Sequence, residues 1–128
     1  MHEKAPRPTD AELAILRVLW DRGPSTVREV HEALRDRQES GYTTVLKLMQ
    51  IMTEKGLVDR DASQRAHVYT SRLGEHRTQH QLLRDLVDRA FAGSPAKLVM
   101  QALSSGKASA EEMKAIRRLL DQMEDKKA

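Results

Sequence analysis

The chain has no cysteine, which removes disulfides, thiolate metal sites and cysteine nucleophiles together and fits a reducing compartment. It has no apolar run approaching the roughly 18 residues that a membrane helix needs, and its first residues, MHEKAPRPTD, lack the apolar centre of a signal peptide. The expected location is therefore the cytoplasm, without membrane insertion. Also missing are a glycine-rich phosphate loop, a strand-turn-helix nucleophile elbow and a paired-carboxylate arrangement. No active site and no cofactor are expected, so the chain does not read as an enzyme. Nor is there a basic arm: residues 1–72 hold 12 basic and 11 acidic side chains, and residues 73–128 hold 10 and 8.

What is present is an ordinary globular composition, 39% hydrophobic and 32% charged over 128 residues, enough for one modest core or two small ones. A net charge of +3 is too small to announce a nucleic-acid partner by itself. Any phosphate contacts must come from local clusters.

The N-terminal half is punctuated by helix signals. Thr9 with Glu12 has the spacing of a capping box, and Leu13, Ile15, Leu16, Leu19 and Trp20 follow at helical spacing until DRGP stops the run. Thr26 with Glu29 repeats the box ahead of Val27, Val30, Ala33 and Leu34, a stripe that ends in the charged RDRQES. A third helix runs from an N-cap at Gly41 to a stop at Gly56, with Lys55 in the last turn. Its Val45, Leu48, Met49 and Met52 fall at i, i+3, i+4 and i+7 and face the core. The opposite face carries Thr43, Lys47, Gln50 and Glu54, flanked by Thr44 and Leu46.

After Gly56 the period changes. Leu57–Arg60 and His67–Thr70 are short β-favouring runs around the turn-prone DASQRA, which predicts a hairpin. Three short helices followed by a hairpin is the order of a winged helix-turn-helix. In that setting the polar face of the third helix suits the DNA major groove. Threonine meets a phosphate or a thymine methyl, lysine reaches guanine acceptors or a phosphate, and glutamine pairs with adenine. Arg60, Arg65 and Arg72 are placed to grip the backbone.

From residue 73 the chain returns to helix. Leu82, Leu83, Leu86, Val87, Ala90 and Phe91 form one stripe, Leu98, Val99, Ala102 and Leu103 a shorter one, and Met113, Ile116, Leu119, Leu120 and Met123 a third behind the Ser109–Glu112 capping box. Three helices in some 55 residues are marginal as an independent core. Pairing with a second copy would relieve that, so residues 73–128 read as a dimerisation region beside a winged-helix domain at 1–72. The expected fold class is mainly α (α+β).

The runs TDAELAILRVLWDRGPSTVREVHEAL, YTTVLKLMQIMTEKGLV and RAHVYTSRL, in this order, resemble the penicillinase-repressor (BlaI/MecI/CopY) family of bacterial transcriptional repressors, and LLRDLVDRAFAGSPAKLVMQAL with ASAEEMKAIRRLLDQ extends the resemblance over nearly the whole chain. It implies a homodimer that binds a dyad operator in double-stranded DNA and blocks transcription, with a part in regulating antibiotic resistance. Carried over by position, Tyr42, Thr43, Thr44 and Lys47 begin the recognition helix and Arg65 to Tyr69 form the wing. With Gln50, Arg60 and His67 these make the expected DNA contacts. The expected dimer contacts are Leu82, Leu83, Leu86, Val87, Phe91, Leu98, Val99, Leu103, Ile116, Leu119 and Leu120.

Copper-responsive members of the group bind their metal through C-terminal cysteines, so the lack of cysteine excludes thiolate copper sensing. Antibiotic-responsive members are cut at an Asn-Phe bond by a membrane metalloprotease sensor, and Gln101-Ala102 stands at the matching position. Two other readings compete. The polar face of the third helix could serve a protein partner, which salt dependence would discriminate. His76 and His80, at i and i+4, could hold a metal, although no third ligand stands near them in sequence. His31 and His67 are isolated in the sequence.

Overall fold

The computed structural model describes residues 7–35 and 40–127. The middle of the charged RDRQES run and the first six residues of the N-terminal stretch lie outside the described residues. The element order is α1 (Asp10–Arg22), β1 (Ser25–Thr26), α2 (Val27–Leu34), α3 (Tyr42–Lys55), β2 (Val58–Asp61), β3 (Val68–Ser71), α4 (Glu75–Ala90), α5 (Pro95–Ser104) and α6 (Ala110–Lys127). The chain divides into two compact units, Met1–Leu82 and Leu83–Ala128, so the division falls within α4.

In the first unit both expected capping boxes are formed. The Glu12 amide donates to Thr9 Oγ1 at 3.2 Å while the Thr9 amide donates to Glu12 Oε1 at 2.9 Å, and Thr26 with Glu29 repeats both distances. Each box satisfies two amides that an α-helix otherwise leaves without partners. Gly23, at φ 87°, ends α1 and returns its amide to the Leu19 carbonyl. Gly56, at φ 82°, does the same for α3. Both are left-handed positions that a side chain would strain.

The core gathers Ile15, Leu16 and Leu19 of α1, Val27, Val30 and Leu34 of α2, and Val45, Met49 and Met52 of α3 under Leu57, Val58 and Tyr69. Leu48 and Trp20 pack at its margin. The Trp20 indole N–H, 3.0 Å from Ser71 Oγ and 3.2 Å from the Leu73 carbonyl, ties α1 to the end of β3.

The sheet differs from the expected hairpin in two ways. Each strand begins one residue later than the sequence runs suggest; for β2 the reason is that Leu57, at the start of its run, leaves α3 with its amide bonded to the Met52 carbonyl. A third strand is also present. Ser25 and Thr26 pair antiparallel with Tyr69 and Val68, giving the order β1-β3-β2. Two residues have no detectable periodicity, so only the fold brings them to β3. Asp59 accepts from Arg72 Nη2 at 2.7 Å and Nε at 3.1 Å, clamping the outer pair of strands.

In the second unit, α5 starts at Pro95 with Ser94 Oγ accepting from the Lys97 amide. The Ser109–Glu112 capping box begins α6. Val87 is the one buried apolar side chain of this unit among the described residues, while Met100 is 67% and Leu120 52% exposed.

Candidate nucleic-acid interface

The third helix presents its two faces as its periodicity requires. Val45, Met49 and Met52 are buried, and Tyr42, Thr43, Thr44, Lys47 and Gln50 are exposed. These five occupy the first nine residues of α3, toward the N-terminal end where the helix dipole favours an anionic partner, while Glu54, exposed on the same face, stands in the last turn.

In the wing, Arg60, Arg65 and His67 are exposed. Tyr69 belongs to the same segment but is 2% exposed and part of the core, so it supports the wing and reaches only the floor of the groove beside it. Arg72, expected beside Arg60 and Arg65, has its guanidinium taken by Asp59, which raises its pKa above the usual arginine value by hydrogen bond and charge. At the tip, Asp61 Oδ1 accepts from the Ser63 amide at 2.9 Å. A hydrogen bond from the Ser63 hydroxyl, then this backbone bond and the charge of nearby His67, outweigh burial and hold the Asp61 carboxyl below its ordinary value.

Helix and wing meet across a groove of about 340 Å³ whose walls include Tyr42 and Leu46 of α3, Arg65, Ala66 and His67 of the wing, and Thr26 and Arg28 of α2. Arg28 and His31 were not legible as site residues. The His31 ring meets the Tyr42 ring edge to face, with centroids 6.0 Å apart and planes at 85°. The two stand eleven positions apart in sequence, on different helices, so no single helical or strand period links them.

The other sequence candidates lie elsewhere. His76 and His80 stack on α4 with centroids 6.3 Å apart, and among the described residues no cluster of three metal-ligating side chains includes them. Gln101 and Ala102 are exposed in the second half of α5. Of the expected dimer contacts, Leu83, Leu86, Val99, Leu119 and Leu120 are exposed, Leu82, Phe91, Leu98, Leu103 and Ile116 are half-buried, and Val87 is buried. No helix is long and apolar enough to cross a membrane among the described residues.

Three helices, a short sheet and an exposed polar third helix beside the wing define a winged-helix transcriptional regulator. The penicillinase repressor family matches residues 8–122, and the chain belongs to it. The transcriptional regulator BlaI of Mycobacterium tuberculosis is 35% identical over 123 residues, spanning 94% of this chain and 88% of the relative. The penicillinase repressor of Bacillus licheniformis is 22% identical over 125 residues, 98% of each chain. Among solved structures, the DNA-binding domain of the repressor BlaI superposes with a TM-score of 0.51 at 26% identity, covering 58% of this chain and 90% of that one. Bacillus licheniformis BlaI in complex with the blaP half-operator, as a monomer, gives a TM-score of 0.50 at 26% identity over 56% of this chain and 88% of that one.

Proposed function

We propose that this repressor binds a dyad operator as a homodimer, each first unit reading one half-site. The observation that carries the reading is the shared groove: Tyr42 at the start of α3 and Arg65 and His67 of the wing face the same space. A helix laid in the major groove with the wing over the flanking backbone uses both sides of that arrangement. In this reading Thr43, Thr44, Lys47 and Gln50 meet base edges or nearby phosphates. Arg60, Arg65 and His67 hold the backbone.

The second unit, from within α4 to α6, supplies the dimer. It buries almost nothing by itself, while Leu83, Leu86, Leu119, Leu120 and Met123 stand in water. Apolar exposure on this scale favours a partner surface, and a two-fold pair brings the same surface from each copy. The proposed dimerisation region, residues 73–128, is wider than this unit and adds the N-terminal part of α4 up to Leu82. Two-fold symmetry sets the half-sites one or more turns of roughly 10 base pairs apart.

Release follows from the same region. Cleavage at Gln101–Ala102 by a membrane-bound metalloprotease sensor would split α5, a helix of 10 residues with both partners of the bond exposed. So short a helix unfolds locally at low cost, which is what a protease requires. Such a route fits a part in regulating antibiotic resistance.

The deciding experiment is selection of bound sequences from random duplex DNA at two salt concentrations. An enriched dyad whose affinity falls log-linearly with salt is expected. No enrichment at low salt would overturn the reading in favour of a protein partner for the polar face of α3.

A further inference from the structure

We propose that His31 is a positioning residue for DNA reading: from α2 it seats Tyr42 and fixes the first turn of α3 without touching the operator itself. The inference rests on the DNA-binding reading of α3.

The start of α3 is built differently from the starts of α1 and α2. Those two are closed by complete capping boxes, whereas the N-cap of α3 is Gly41, with no side-chain bond. Nothing about Gly41 demands glycine: its φ is −72° and a Cβ there would meet nothing within 4 Å. The first turn that carries Tyr42, Thr43 and Thr44 therefore lacks the side-chain cap that elsewhere fixes a helix entry.

His31 supplies two contacts in its place. Its Nε2 lies 3.0 Å from the Ser40 carbonyl, one residue ahead of the cap. A carbonyl only accepts, so Nε2 carries the proton and donates. Its ring meets the Tyr42 ring edge to face, the arrangement aromatic quadrupoles favour. One side chain thus holds the residue before the cap and the residue after it. Tyr42 keeps 47% of its surface exposed, with Arg28 and Arg65 among the residues around it.

Base-edge contacts depend on hydrogen-bond direction, whereas attraction to phosphates is long-ranged and tolerant of small displacements. Loosening the first turn should therefore blur sequence preference more than it weakens general binding. The test compares the full chain with His31→Ala, His31→Gln and His31→Phe on the selected operator and on unrelated duplex, with thermal unfolding alongside. His31→Ala should bind the operator about tenfold more weakly, relax preference at the base pairs met by the first turn, and leave the salt slope and unrelated-duplex binding unchanged. His31→Gln should recover part of the loss, because its amide reaches as far as Nε2. His31→Phe should recover another part through the ring.

Unchanged operator affinity in His31→Ala would overturn the proposal. So would a salt slope reduced by about 0.9, which would make His31 a phosphate contact. Equal losses on both DNAs with a lowered melting point and no rescue by either conservative variant would reduce the residue to a structural role. If the parent chain selects no site at all, the DNA-reading assignment fails first and takes this inference with it.

Discussion

Lys55 Nζ lies 2.7 Å from Glu12 Oε1, joining the last turn of α3 to the first turn of α1. The Glu12 side chain is 3% exposed, and the same oxygen accepts the Thr9 amide of the capping box. Removing the ammonium would leave a buried carboxylate with one partner fewer. Lys55→Met should therefore destabilise the first unit by about 3 kcal/mol, the lower end for a broken buried pair because Lys55 keeps 30% of its side chain in water. That corresponds to a melting midpoint lower by more than about 10 °C, read by calorimetry. Glu12→Gln, which retains an acceptor for both donors, should cost less.

The same pair sets a pH dependence. Burial pushes the Glu12 carboxyl up, but the hydrogen bonds from Lys55 and Thr9 and the Lys55 charge outweigh it and hold the group below 4.5, its ordinary value. A lowered folded pKa contributes stability that is present above the unfolded value and lost as pH falls through the folded one. Denaturant melts of the parent and Glu12→Gln across pH 7 to 3 should show the gap between them closing below about 4.5. A constant gap would mean the carboxylate's charge contributes nothing.

Lys47 and Arg65 should separate base reading from backbone grip. Arg65→Ala should weaken all duplexes alike and lower the salt slope by about 1. Lys47→Ala should cost about 1–3 kcal/mol and relax preference at one position if it reads a base, or behave as Arg65→Ala if it holds a phosphate. Titrations on the selected operator and its point variants at two salt concentrations read both. Parental binding by both variants would remove the winged-helix contact scheme.

Gly56→Ala should destabilise the first unit by about 1–2 kcal/mol, because φ 82° is a left-handed position. The added Cβ would also come within 2.9 Å of Arg72 Nη1, but that flexible end can swing aside. The backbone term should therefore dominate, and Gly56→Asn should cost less than Gly56→Ala in parallel melts.

Leu120→Glu puts a charge on the exposed apolar surface of α6. Sedimentation should find a monomer with unchanged helix content, and affinity for a dyad should fall by about a hundredfold or more as the linked second half-site is lost. A variant that remains dimeric would place the interface elsewhere.

Local chemistry made much of this legible. The capping boxes at Thr9, Thr26 and Ser109, the stops at Gly23 and Gly56, and the buried stripe of Val45, Met49 and Met52 are all written within a few residues of where they act. So is the exposed row from Thr43 to Gln50. What escaped depends on contacts between distant segments. Glu12 reads as a capping residue, and only the approach of Lys55 from 43 positions away makes it a buried ion-pair partner. Arg72 reads as a free cation until Asp59 takes it. His31 reads as isolated until the fold sets it against Tyr42, and β1 is too short to carry a period of its own.

Thr26 is paired with Val68 in the sheet, caps α2, and lines the groove with Tyr42 and Arg65. The hairpin is thus not a detachable part. Exchanging it alone between two repressors of this family would graft new strands against a foreign Ser25–Thr26 edge, and a mismatch there would reach the start of α2 as well as the sheet. The smallest transplantable reading head is the continuous stretch 9–73, in which α1 with its Glu12 and Trp20 contacts, that edge, the other two helices and the hairpin travel together.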